Sequence, residues 1–126
     1  MTDKPIKPIF IYNTPGDWQA TAVGPHIFDS RGDYIGYLEN GACYTRDGEW
    51  VGDLSKDGRI LRKRAGKKRP LHTSPLPNPG VKKSDLPGRA PLPPQNAELS
   101  YDTIDVLDED PDVFKRVSEQ RKDLGE

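Results

Sequence analysis

Five acidic residues lie in or beside the turns predicted for residues 29–57, and paired carboxylates are the groups with which many hydrolases move protons. They are Asp29, Asp33, Asp47, Glu49 and Asp57. Similar turn chemistry recurs along the chain because turns require it, whereas catalysis needs one asymmetric site. The sequence also has no nucleophile elbow, phosphate-binding loop or zinc-protease motif. We therefore expect a protein that is not an enzyme, and we nominate no catalytic residue.

Side chains that could hold a metal are few and poorly spaced. The two histidines are His26 and His72, and the single cysteine is Cys43. They show none of the short spacings, such as Cys-x-x-Cys, that bring metal ligands together. We expect no metal and no cofactor, and we interpret Cys43 as a small packing residue within a strand.

A basic run near the middle of the chain could contact nucleic-acid phosphates. Its basic residues are Arg59, Arg62, Lys63, Arg64, Lys67, Lys68 and Arg69. Two alternatives are a solvated strand end leading into a linker, and ion pairing with residues 98–126, which carry ten acids and four bases. No aromatic stacking platform of a nucleic-acid reader accompanies the run, so nucleic-acid binding is our second hypothesis.

A 16-residue repeat organises the first half of the chain, and such repeats decide a fold before other signals do. Six columns recur in register: Tyr12, Phe28 and Tyr44; Gly16, Gly32 and Gly48; Trp18, Tyr34 and Trp50; Gln19, Ile35 and Val51; Ala20, Gly36 and Gly52; and Ala22, Leu38 and Leu54.

Each repeat is typical of two short strands joined by tight turns. In the second copy, residues 26–29 and 34–39 are predicted strands around a turn at 30–33. Asn40-Gly41 is a hairpin signal because both residues tolerate positive φ. A final strand at 59–63 begins an incomplete fourth copy, which gives about seven strands in all.

Side chains alternate along a strand, and this alternation predicts which face of the return strands is buried. One face is apolar or small throughout: Trp18, Ala20 and Ala22; Tyr34, Gly36 and Leu38; and Trp50, Gly52 and Leu54. We expect this face to be the core, with its rings packed inside rather than offered to a ligand. The column of small residues suggests strands that converge near a common axis. On the other face, Tyr37 is expected to be exposed.

The segments FDSRGDYIGYLENG and YTRDGEWVGDLSKDG resemble the repeats of the 4-fold beta flower proteins, which are small bacterial proteins with short hairpins around a pseudo-fourfold axis. The shared pattern is an apolar–aromatic pair, a polar turn, an apolar residue before Gly or Ala, and then an aliphatic residue. The resemblance covers residues 9–65 and implies an all-β architecture of β-hairpins around a pseudo-symmetry axis. It implies no activity and no functional residue.

The rest of the chain divides into segments of different character. We predict an N-terminal tail at 1–8, a hairpin domain at 9–65 (units 10–25, 26–41, 42–58 and a partial unit 59–65), a disordered Pro-rich basic linker at 66–97 and an acidic segment at 98–126. Eight prolines between Pro70 and Pro94 favour extended polyproline II stretches in the linker. In the acidic segment, Asp110 and Pro111 predict the start of a short C-terminal helix at 111–124.

Composition indicates a small folded part, because only 33% of the residues are hydrophobic and 31% are charged. The lone cysteine, the lack of an apolar signal core and the lack of a 20-residue apolar span lead us to expect a cytoplasmic protein without a membrane segment.

Our first functional hypothesis is a non-catalytic adaptor that docks a protein partner through its C-terminal segment. The docking residues would be Phe114, Val117 and Leu124, which share one helical stripe, with Tyr101 and Ile104 as a lesser site. Unpaired edge strands also predict a homo-oligomer formed through the β domain. A nucleic-acid-associated protein is the alternative, and a small enzyme is the third hypothesis.

Overall fold

The computed structural model describes residues 7–65 and 69–115. Eight antiparallel strands lie in chain order in one sheet, which curls into a half-barrel. They are β1 (Ile9–Tyr12), β2 (Trp18–Val23), β3 (His26–Asp29), β4 (Tyr34–Glu39), β5 (Ala42–Thr45), β6 (Trp50–Leu54), β7 (Ile60–Lys63) and β8 (Thr103–Asp105). A short helix, α1 (Val106–Glu109), follows β8, and a 3₁₀ helix spans Lys83–Asp85. The all-β prediction is confirmed, with one strand more than the repeat predicts.

Three hairpin turns share one hydrogen-bond pattern, set by their first residues Asn13, Asp29 and Thr45. Each of these side chains accepts a hydrogen bond from the main-chain N–H four residues later, at 2.8–3.2 Å. Each main-chain carbonyl accepts another from the glycine three residues later, at 2.9 Å. Short polar side chains stabilise turns in this way. These residues form a seventh column of the repeat.

A β-bulge in each of β2, β4 and β6 changes the faces that strict alternation predicts. In the first copy Trp18 lies opposite Tyr12 and Ala20 lies opposite Ile11, so Gln19 is an extra residue. The same register shift recurs in the second and third copies. Because two residues of a bulged strand face one on its neighbour, Trp18 and Ala20 lie on opposite faces. The prediction that the large rings share a face with the small residues is therefore wrong.

The face that carries the small residues is aliphatic and forms the hydrophobic core. Its buried members from the first seven strands are Ile11, Ala20, Ala22, Ile27, Cys43, Val51 and Ile60. Ile104, Val106, Leu107 and Phe114 complete the core from the C-terminal side. The small residues let the neighbouring strand and the Phe114 ring lie close to the backbone of β4. A Cβ at Gly36 would overlap the Tyr44 carbonyl and lie 3.0 Å from the Phe114 ring.

The C-terminal segment enters the fold as a strand and a short helix. β8 pairs with β7 across a 39-residue connection, and the side chain of Asp105 caps α1 by accepting the Asp108 N–H at 3.3 Å. Of the helix predicted at 111–124, the residues 111–115 form turns. The remainder of that predicted helix lies outside the described residues.

Candidate protein-interaction surface

The second face of the sheet is lined with rings, and we call it the aromatic face. It carries eight of the ten Phe, Trp and Tyr residues of the chain: Phe10, Tyr12, Trp18, Phe28, Tyr34, Tyr37, Tyr44 and Trp50. Residues directly opposite each other across a strand pair point to the same side. The rings also touch, as in the stack of Tyr37 on Tyr44, whose centroids are 5.2 Å apart. The rings on this face thus come from six neighbouring strands, β1 to β6.

Residues 69–97, which we call the strap, cross the aromatic face in the reverse order of the strands. Arg69 lies 3.8 Å over the Trp50 ring of β6. His72 then contacts Tyr44 of β5, and Leu76 contacts Tyr34 of β4. Further along, Pro91 contacts Tyr12 of β1. Residues 69–97 of the predicted disordered linker thus contact the sheet at several points, because buried rings and hydroxyls offer them contacts.

Two tyrosine hydroxyls hold the strap by its main chain. Tyr12 Oη donates a hydrogen bond to the carbonyl of Pro91 at 2.6 Å, and Tyr34 Oη donates one to the carbonyl of Leu76 at 2.8 Å. Burial raises the pKa of both tyrosines, so both hydroxyls remain donors at neutral pH. Aromatic-lined grooves that bind proline-rich chains combine ring packing with binding of a preformed extended backbone.

His72 is a tightly held residue of the strap. Its main-chain N–H donates to the carbonyl of Gly48 at 2.8 Å, and its Nε2 lies 3.0 Å from Glu39 Oε1. Its Nδ1 accepts a hydrogen bond from the Ser74 N–H at 3.1 Å, so Nε2 carries the hydrogen and donates a hydrogen bond to Glu39. The ring packs in T-shaped contacts against both Tyr37 and Tyr44.

Between its anchors the strap is open to solvent. Leu92 is 93% exposed, and a Cβ added at Gly80 or Gly88 would meet no atom within 4 Å. Lys83 touches the turn at Gly32 and forms an ion pair with Asp33 at 3.2 Å. The strap is thus fixed at separate points rather than packed throughout.

Tyr37 is buried beneath the strap, with 0% of its surface exposed. The prediction that this ring is exposed is wrong, because His72 and Tyr44 cover it. Burial raises its pKa to about 12, so the hydroxyl stays protonated. Among residues 7–65 and 69–115 this hydroxyl has no hydrogen-bond partner. A buried donor without an acceptor costs about 1–3 kcal/mol.

The end of the strap is fixed by a buried arginine. Arg59 is 1% exposed, and its guanidinium donates to Asp57 at 2.7 Å, to the carbonyl of Ala97 at 2.7 Å and to Thr14 Oγ1 at 3.1 Å. Hydrogen bonds from Arg59, and further ones from Ser55 and the Ala97 N–H, hold the pKa of Asp57 well below its usual range. Arg59 therefore joins two turns to the strap and is closed to nucleic-acid phosphates.

Other members of the basic run have partners within the chain. Lys63 pairs with Asp102 at 3.2 Å, and Arg64 pairs with Glu109 at 3.3 Å. Arg62 donates to the carbonyl of Lys63, and Arg69 lies on Trp50. Lys67 and Lys68 lie outside the described residues. The described members of the run thus contact the core, the acidic segment or the aromatic face. The contacts of Lys63 and Arg64 are those expected if the basic run pairs with residues 98–126.

The predicted docking residues are placed in different environments. Ile104 is 5% exposed and Phe114 is 8% exposed, and both belong to the core of this chain. Tyr101 is 94% exposed and is free of covering side chains. Val117 and Leu124 lie outside the described residues. Of the three docking candidates that the structure describes, Tyr101 is the one that a partner can reach.

The acidic residues considered as catalytic groups serve local structure where their contacts are described. Asp29 accepts the N–H groups of Arg31 and Asp33, both at 2.9 Å, and Asp57 holds Arg59. Burial raises the pKa of the Cys43 thiol to about 12, which suppresses the nucleophilic thiolate. Within the described ranges, no three His, Cys, Asp or Glu residues lie close enough to hold a metal ion.

Sequence reasoning overlooked two features of this surface. Strict alternation fails at Ile35-Gly36 and Val51-Gly52, where two apolar or small residues follow the aromatic one, and this doublet was the available signal for a bulge. The contacts of Tyr12 and Tyr34 join residues 79 and 42 positions apart, and no local pattern encodes them.

Comparisons with protein-family models, curated proteins and solved structures found no match. In the part of the chain that the structure describes, no helix has the length and apolar character to cross a membrane.

Proposed function

We propose that this chain is a non-catalytic protein-interaction protein whose aromatic face binds an extended, proline-rich segment. The observation that carries the proposal is the pair of hydrogen bonds from Tyr12 and Tyr34 to main-chain carbonyls of the strap. Main-chain recognition is independent of most side chains of the ligand. A segment of similar character from another protein therefore fits the same donors and rings.

The adaptor hypothesis from the sequence is kept, but its contact surface changes. Phe114 and Ile104 are core residues, so they stabilise the domain rather than bind a partner. The aromatic face replaces them as the proposed site, and Tyr101 remains as a second exposed contact. Hairpins arranged about a common axis, as in the family that the repeats resemble, would present such a surface, and the three equivalent turns and bulges support that arrangement.

The strap is the occupant of this site in the isolated chain. A tethered ligand of this kind has an effective concentration in the millimolar range, so a free peptide competes poorly with it. The test therefore begins by cutting the strap. Protease recognition sequences inserted after Ala65 and after Glu98, two exposed residues that flank the strap, allow the strap to be released from the folded full-length protein.

Binding is then measured from the fluorescence of Trp18 and Trp50 as a synthetic peptide of residues 69–97 is added. We expect saturable binding to the cut protein and much weaker binding to the uncut protein. A scrambled peptide of the same composition is the ligand control. The Tyr12→Phe/Tyr34→Phe variant is the protein control, with affinity about thirtyfold lower because two hydrogen bonds of about 1 kcal/mol each are lost. No binding to the cut protein, or equal binding of the scrambled peptide, would refute the proposal.

A further inference from the structure

Three of the four tyrosines on the aromatic face are buried, and the strap satisfies the hydroxyls of two. Tyr12 and Tyr34 donate to strap carbonyls. Tyr37 is 0% exposed, and its hydroxyl meets no acceptor in the part of the chain that is described. The strap is therefore an incomplete ligand for the surface that it covers.

The strap residue that contacts the Tyr37 ring is His72, and both of its ring nitrogens are already engaged. Its Nδ1 already accepts the Ser74 N–H, and its Nε2 faces Glu39. Its contact with Tyr37 is a T-shaped packing of the two rings, with centroids 5.6 Å apart. The Tyr37 hydroxyl therefore lacks a hydrogen bond because the strap places His72 at this point.

We propose that the partner recognised by the aromatic face is a proline-rich extended segment that places an oxygen acceptor over Tyr37, where the strap places the ring of His72. This inference rests on the proposed function and specifies the ligand. A buried hydroxyl that gains an acceptor favours such a ligand over the strap by about tenfold in affinity. The strap then acts as a weaker internal occupant that the partner displaces.

The test uses the cut protein and two variants of the peptide of residues 69–97. The His72→Gln peptide offers a side-chain oxygen to Tyr37 and an N–H to Glu39, whereas the His72→Leu peptide offers neither. Both are titrated into the wild-type protein and into the Tyr37→Phe variant. Because the variant removes the donor alone, this double-mutant cycle separates the Tyr37 contact from the Glu39 contact.

We expect the Gln peptide to bind the wild-type protein about tenfold more tightly than the Leu peptide, and this ratio to fall to about threefold or less in Tyr37→Phe. We also expect Tyr37→Phe to keep or raise the melting temperature of the uncut protein, since it removes an unsatisfied donor. An equal ratio in both proteins would overturn the inference. So would a loss of melting temperature as large as that of Tyr34→Phe, because it would reveal an internal partner of Tyr37.

The test distinguishes failure of the proposed function from failure of the role given to Tyr37. If no peptide, including the native sequence, binds the cut protein, the proposed function is wrong and the inference falls with it. If peptides bind and the cycle shows no coupling to Tyr37, only the inference is wrong.

Discussion

The two faces of the sheet are covered in different ways. On the aliphatic face, β8 continues the sheet, and Ile104, Val106, Leu107 and Phe114 pack into the core. On the aromatic face, the strap adds no strand and is held by separate contacts at residues such as His72, Leu76 and Pro91. Continuous apolar packing makes the first cover part of the folded domain. The second cover rests on a few hydrogen bonds and ring contacts, and local opening begins in regions of that kind.

The largest loss of stability is expected from a substitution on the aliphatic face. Ile104→Ala should lower the free energy of unfolding by about 3 kcal/mol, because it removes buried methyl groups and leaves a cavity. Leu92→Ala, at an exposed strap position, should change it by less than about 0.5 kcal/mol. Urea unfolding of both variants measures the contrast. Similar losses from the two variants would mean that the covers are not energetically distinct.

The next largest loss of stability is expected where Arg59 joins the turn at Asp57 to the end of the strap at Ala97. Asp57→Asn should cost about 2 kcal/mol near neutral pH, since charge-assisted hydrogen bonds to Arg59 are lost. The folded pKa of Asp57 is depressed, so its contribution is complete above the unfolded pKa of about 4 and declines as the pH falls below it. Unfolding measured from pH 7 to pH 2 should show the wild-type and variant stabilities converging at low pH. A difference that stays constant over this range would contradict the assignment.

A smaller effect is expected from the two hydroxyls that hold the strap. Tyr12→Phe and Tyr34→Phe should each lower stability by about 1 kcal/mol, because each removes one hydrogen bond to a strap carbonyl. Limited proteolysis should cleave the strap faster in both variants while the β domain stays intact. Trp18→Phe, whose indole N–H bonds within β2, is a matched control that should leave strap cleavage unchanged.

The hairpin strands and turns could be predicted because their signals are local. Asn40-Gly41 needs only its own tolerance of positive φ, with φ values of 53° and 82°, and the 16-residue period places the strands. The faces could not be assigned from alternation alone, since a bulge at Gln19 and its equivalents inverts them. β8 and the strap contacts of Tyr12 and Tyr34 depend on pairing across 39 residues or more, and no local sequence pattern encodes the closing of so long a loop.

Hydrogen exchange of two main-chain amides in the intact protein tests the central claim most directly. The His72 N–H of the strap bonds to the Gly48 carbonyl in the turn between β5 and β6 at 2.8 Å, and the Leu38 N–H of β4 bonds to the Pro25 carbonyl in the turn between β2 and β3 at 2.7 Å. If the strap opens while the sheet stays folded, His72 should be protected at least about a hundredfold less than Leu38. Equal protection of the two amides would show that strap and sheet open together, and would contradict the proposal that the strap is a replaceable ligand.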